Sequence, residues 1–264
     1  MSSALTSSVV GSASIWTLGR VAGPRREATV VQGGSDAIYL DLEGSCIAVL
    51  AGRAVQVPLG VRTLLPELPS VETGDPATIH DGVVEVEGLS VLVTNIVDTT
   101  VPVLSAEDAA WGRMHLPKFA EHHVSYLRDV LPAQAFDQLA EGDAQAAHTL
   151  LGEGRGATTP LGDDVLGGWI ATAVAIRLPS LQAIRSEVAL NAFDRTNLVS
   201  ASLLACAARG EGVPEFHSAM SGVARQNDDI LSQSLDLMFE RCGESGMAFV
   251  LGSMLAFEAF DPDA

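Results

Sequence analysis

Short alternating or fully apolar runs dominate the first part of the chain, and helical spacing takes over after Ala106. Ala37-Ile38-Tyr39-Leu40, Cys46-Ile47-Ala48-Val49-Leu50, Val83-Val84-Glu85-Val86 and Val91-Leu92-Val93-Thr94-Asn95-Ile96 are separated by Gly, Asp and Pro, the pattern of strands joined by tight turns. Strands at this spacing predict a small barrel or sandwich. Beyond Ala106, Ala, Leu, Gln and Glu rise, and amphipathic patterns over Lys118 to Val130, Ala133 to Leu151 and Gln182 to Leu190 predict helices. Val165 to Leu178 and Leu198 to Ala208 are apolar on nearly every face. Such helices belong at the centre of a helical domain, with only their ends accessible. A further apolar helix, Met247 to Phe260, follows the small-residue turn Cys242-Gly243-Glu244-Ser245-Gly246.

The predicted fold class is therefore α+β, an N-terminal β-rich barrel or sandwich domain followed by a mainly helical C-terminal domain. Residues 1–14, rich in Ser, Ala and Thr, read as a mobile lead-in; residues 15–105 form the β-rich domain and residues 106–264 the helical one. No internal repeat, heptad pattern or low-complexity tract interrupts this division.

Composition narrows the partners. With 264 residues and 47% hydrophobic side chains the chain can fill a substantial core. A formal net charge of -18 disfavours nucleic acid, whose binding depends on Lys and Arg neutralising phosphates. Cys46, Cys206 and Cys242 lie far from any paired zinc or redox spacing, which fits free thiols in a reducing compartment. Met1 to Trp16 lacks a basic lead and a sustained apolar stretch, and later apolar runs are broken by charge or proline. These features predict a cytoplasmic protein that does not enter a membrane.

The chemistry concentrates in Gly152-Glu153-Gly154-Arg155-Gly156-Ala157-Thr158-Thr159-Pro160-Leu161-Gly162-Asp163-Asp164. Glycines at alternate positions let backbone N–H groups converge on an oxyanion, and the helix behind adds its positive end. Asp163 and Asp164 would repel a bare anion, so they call for a cation, an amide or amine, or a proton. No Gly-Lys-Ser/Thr follows the glycines and no strand precedes them, which argues against the standard nucleotide-binding loops.

Thr159-Pro160-Leu161-Gly162-Asp163-Asp164 with Leu166 and Gly168, behind the Gly-x-Gly-x-Gly run, resembles a bacterial family of formerly unknown function that includes the third subunit of oxamate carbamoyltransferase. Thr196-Asn197-Leu198-Val199-Ser200 before a helix ending in Ala207-Ala208-Arg209-Gly210, and Gly243-Glu244-Ser245-Gly246 before Gly252, extend the likeness over roughly residues 151–256. The resemblance implies carbamoyl transfer between a carbamoyl amide and phosphate, giving carbamoyl phosphate and oxamate, in an assembly with other protein subunits. One departure is visible: Ala157 and Thr158 both separate the last glycine from Thr159-Pro160, where the family pattern has one residue. A relative with another carbamoyl or acyl substrate fits that departure.

Each candidate residue has a structural alternative. Gly152, Gly154 and Gly156 could cradle an anion or end the preceding helix. Asp163 could cap the helix near Val165, which leaves Asp164 for a magnesium ion, for the nitrogens of a carbamoyl group or for general-base work. Thr159 offers a hydroxyl to a ligand or a cap, Gly162 close backbone approach, and Arg155 and Arg195 a clamp for carboxylate or phosphate. Thr196, Asn197 and Ser200 gather at a helix start and could either cap it or line the same pocket. Ser245 and Gly246 lie in the second glycine turn, where Ser245 reads as a ligand hydroxyl or as a nucleophile lacking an evident His partner.

The candidate catalytic and metal-binding residues are thus Asp163 and Asp164, and magnesium is the candidate cofactor. The leading function is a carbamoyltransferase component. A non-catalytic subunit that binds a small anion or serves assembly is the alternative, and a metal-dependent hydrolase or phosphotransferase a third.

Overall fold

A computed structural model describes residues 7–261 of the chain. It divides into two compact units that meet in sequence between Thr99 and Thr100.

The first unit is a closed barrel of eight strands: β1 (Ser7–Ala13), β2 (Arg26–Gly33), β3 (Ala37–Leu42), β4 (Ser45–Leu50), β5 (Gly60–Arg62), β6 (Pro76–His80), β7 (Val83–Val86) and β8 (Leu89–Ile96), with α1 (Ile15–Val21) after the first strand. Around the barrel the order is β1-β5-β4-β3-β2-β6-β7-β8. β1 closes the circle by running parallel to β8, from Ser7 opposite Leu89 to Ala13 opposite Ile96. Val30, Ile38, Leu40, Ile47, Val49, Val61, Val84 and Val91 fill the interior, as alternate positions of the strands should.

The lead-in expected over residues 1–14 is corrected by this arrangement. Residues 1–6 lie outside the described residues, and Ser7–Ala13 is a barrel strand. Its small residues, which resemble a coil by composition, suit close packing instead: a Cβ on Gly11 would press against the side chains of Val61 and Val91.

The second unit carries α2 (Ala106–Val124), α3 (Leu127–Val130), α4 (Ala133–Ala140), α5 (Gln145–Leu150), α6 (Leu161–Ala175), α7 (Leu181–Arg195), α8 (Leu198–Ala207), α9 (Pro214–Ala224) and α10 (Asp228–Glu258). Val101 and Leu104, on the β side of the expected boundary, belong to the helical core: Val101 N donates to Gly210 O and Leu104 N to Ala175 O. The helix expected over Ala133 to Leu151 is two, because Gly142 adopts a φ of 70° between them.

Helix α6 is the axis of this unit and is buried on almost every face. Trp169 anchors it by donating Nε1–H to Leu139 O at 3.0 Å. The second half of α10 lies against it at backbone distance, since a Cβ at Gly168 would collide with Phe249 O and one at Gly252 with Val165 O. α6 begins at Leu161, four residues before the apolar run, so Asp163 and Asp164 lie in its first turn. α10 is itself two helices joined at Gly243, whose φ of 57° and ψ of -137° are open to glycine alone. No helix among the described residues is long and apolar enough to cross a membrane.

Candidate functional site

Asp163 and Asp164 are neighbours in sequence with different surroundings. Asp163 is buried. Its Oδ1 accepts the N–H of Gly152 at 2.8 Å, and its Oδ2 accepts the hydroxyls of Ser200, at 2.6 Å, and of Thr196. Burial raises its pKa above the usual carboxylate range, while Ser200, Thr196, the Gly152 N–H and the charge of Arg195 pull it back. Asp163 therefore joins the glycine loop, the start of α6 and the start of α8 from within. The helix-capping alternative for Asp163 does not hold, because Pro160 is the N-cap of α6 and provides no side-chain cap.

Asp164 remains partly exposed. Thr159 Oγ1 lies 2.8 Å from its Oδ1 and 2.9 Å from its Oδ2, and the Ser245 hydroxyl donates to the same carboxylate. Burial by the surrounding groups pushes its pKa up to about 7 against the pull of Thr159 and Ser245, and the neighbouring Asp163 adds to the rise. A carboxyl that exchanges its proton near neutrality can accept and donate hydrogen bonds and act as a general acid or base.

The other predicted residues are assembled around these two, mostly as supports. Thr196 and Ser200 are committed to Asp163. Asn197 caps α8, its Oδ1 accepting Ser200 N at 2.9 Å, and its Nδ2 holds Thr158 O at 3.1 Å. Arg195 donates to His148 O at 2.7 Å. Gly152 has a φ of 80° and Gly154 a φ of 78°, and a side chain on Gly156 would strike Thr159 O. Gly162 allows Leu150 O to approach the first turn of α6, and Gly246 lies within contact of Cys242 and Met238. Gly152 directs its N–H inward to Asp163, and Gly162 donates to Glu153 O at 2.9 Å. Both turn away from any outside anion. Arg155 is exposed, with no ion pair or hydrogen bond to another described residue.

Glu215 of α9 and Arg241, just before the break in α10, enlarge the site beyond the sequence reading, with Cys242 beside Arg241. Arg241 Nη1 lies 2.5 Å from Glu215 Oε1, and the Glu215 side chain is only 4% exposed. The Cys242 thiol is pushed up to about 12, first by burial, then by Glu215 and, against the pull of Arg241, by Asp164. A thiol held protonated in this way is a poor nucleophile. Glu215 gave no signal in the sequence: an acid just behind Pro214 at a helix start has an ordinary solvated role there.

Among the described residues no group of three or more His, Cys, Asp or Glu side chains could hold a metal ion. Both oxygens of Asp163 are already engaged by protein donors.

All of these groups fall within one stretch of sequence. Residues 150–257 match the family model of the oxamate carbamoyltransferase subunit AllH. The matched stretch contains Thr159, both aspartates, Glu215 and Ser245, and ends before the close of α10; the barrel lies outside it. No curated protein and no solved structure matches the chain. The similarity to that subunit family therefore covers the segment that carries the candidate site.

Proposed function

We propose that this chain supplies a carbamoyl-handling site to a carbamoyltransferase assembly, and that Asp164 is its central group. The observation that carries this reading is the placement of Asp164: partly exposed, held by the Thr159 and Ser245 hydroxyls, with burial pushing its pKa up to about 7. A carbamoyl or primary amide group offers two N–H donors and one carbonyl acceptor, and a carboxyl flanked by Thr159 and Ser245 complements its nitrogen end. The match to the AllH subunit family directs the choice among amide-handling activities.

In phosphorolysis of a carbamoyl amide, a phosphate oxygen forms a bond to the carbamoyl carbon while the C–N bond breaks, and the departing amide nitrogen takes up one proton. Protonated Asp164 donates that proton, and in the reverse direction its carboxylate accepts it. Asp163 orients this group through the shared first turn of α6 and makes no contact with the ligand. Proton and hydrogen-bond work falls to Asp164 in place of a magnesium ion, because its neighbours Thr159 and Ser245 are hydroxyl donors and no third acidic ligand converges among the described residues. Positioning and electrostatics would supply the main rate gain.

A second reading is a subunit that binds the same amide or a small anion without transforming it. It is favoured by the state of the two candidate nucleophiles: Ser245 is engaged with a carboxylate, and Cys242 is held protonated. Phosphorolysis of oxalurate, assayed with the chain and its co-purifying subunits, tests the choice. Loss of turnover on Asp164→Asn with the assembly intact supports the first reading; full turnover refutes it.

A further inference from the structure

Glu215 is built into the helical core at a cost that its fold position does not require. An acid in the first turn of α9 favours the helix dipole from solvent, yet this side chain is turned inward and is 4% exposed. Arg241 satisfies Oε1 at 2.5 Å. Oε2 is buried and has no hydrogen-bond partner. Pro214, directly before it, has no N–H to give. Buried carboxylate oxygens in folded proteins are nearly always hydrogen-bonded, which makes this one an acceptor awaiting a donor.

The neighbourhood tells what kind of donor. Glu215 reaches the Arg241–Cys242 end of the first half of α10, directly before the break at Gly243. Beyond the break a new helix starts, and the first N–H groups of a helix are the ones that lack a carbonyl one turn back. A Cβ built on Gly243 would meet nothing within 4 Å, so the break borders open space. Ser245, two residues on, bonds to Asp164. The segment from Cys242 to Ser245 thus links two carboxyl groups contributed by α9 and α6, with helix-start donors between them.

We propose that Glu215 is a ligand-binding residue of this site: its free Oε2 accepts one N–H of the NH2 end of a carbamoyl or primary amide ligand seated at the break in α10, with Asp164 as the second acceptor and the N–H groups after Gly243 facing the ligand's carbonyl oxygen. The ligand class is a planar carbamoyl or primary amide group whose NH2 end bears two N–H bonds. The inference rests on the reading of Asp164 for its second acceptor. Arg241 is then a positioning residue that holds the Glu215 carboxylate.

The test is calorimetric titration of the full chain with oxamate and, separately, carbamoyl phosphate, for wild type, Glu215→Gln, Glu215→Asp and Asp164→Asn, together with each variant's melting temperature. We expect saturable binding by wild type, at least tenfold weaker binding by Glu215→Gln, as for loss of one charge-assisted hydrogen bond, and an intermediate value for Glu215→Asp, all with melting temperatures close to wild type. Glu215→Gln that binds as wild type while Asp164→Asn does not overturns the role of Glu215 and leaves that of Asp164 standing. Weakened binding by Glu215→Gln with unchanged binding by Asp164→Asn supports Glu215 and removes Asp164. A Glu215→Gln protein that melts much lower but binds normally shows a purely structural ion pair, and absence of binding by wild type overturns both assignments.

Discussion

Thr159 places its hydroxyl between the two oxygens of Asp164, 2.8 Å from one and 2.9 Å from the other. Five residues apart, the two are brought together by the turn at Pro160, which starts α6 and puts the second aspartate one position beyond the buried one. The first aspartate faces Gly152, Thr196 and Ser200; the second faces Thr159 and Ser245. One dipeptide thus supplies both the buried support of the loop and the partly exposed carboxyl.

Asp163 should behave as a structural residue. Asp163→Ala leaves the Gly152 N–H and the hydroxyls of Thr196 and Ser200 without their acceptor, in a site where Ser200 is buried. A loss of about 3 kcal/mol or more in urea unfolding is expected from unsatisfied buried donors. Asp163→Asn, which keeps a carbonyl acceptor, should lose less.

Asp164 should make stability depend on pH in a definite direction. Its carboxyl titrates near 3.9 in the unfolded chain and at about 7 in the fold. Below the unfolded value it is protonated in both states and contributes no difference. Between the two values the fold holds a proton that the unfolded chain has released, so stability falls as pH rises, and above about 7 the whole penalty is present. Asp164→Asn removes it. The variant should gain on wild type between about pH 5 and about pH 8, by at most on the order of 4 kcal/mol and less for its partial exposure. Denaturant melts at the two pH values check this, and a gain in the opposite direction would contradict the burial of Asp164.

The contact of α6 with α10 should tolerate no side chain. Gly252→Ala forces a methyl group onto Val165 O, and the cost should reach a few kcal/mol because backbone on both sides resists movement. Gly243→Ala meets no obstruction in space but requires a φ of 57° with a ψ of -137°. It should also destabilise, by about 1–3 kcal/mol. Thermal melts of the two variants measure each cost.

Much of this architecture was legible in the sequence. β3, β4, β7 and β8 follow from β-branched runs between turn residues, and α6 and α8 from uniformly apolar segments. β1 was not legible, because Ser7-Ser8-Val9-Val10-Gly11-Ser12-Ala13 has the composition of a coil and gains its strand character from pairing with β8. Asp163, Asp164, Thr196, Ser200 and Ser245 were singled out by type and spacing, and they do gather. Their division into buried support and partly exposed pair depends on which way α6 faces, and no local pattern encodes that. Glu215 and Arg241 stayed hidden because their pairing spans two helices and twenty-six residues.

Asp164 binding a carbamoyl or amide nitrogen is the central claim, and ligand affinity across pH tests it most directly. Oxamate affinity of the full chain should change through about pH 7 in wild type, following the Asp164 carboxyl. In Asp164→Asn it should be weaker by tenfold or more, on the order of 1.4 kcal/mol, and level across the same range. Equal affinity of the two proteins, with the same pH profile, would contradict the assignment.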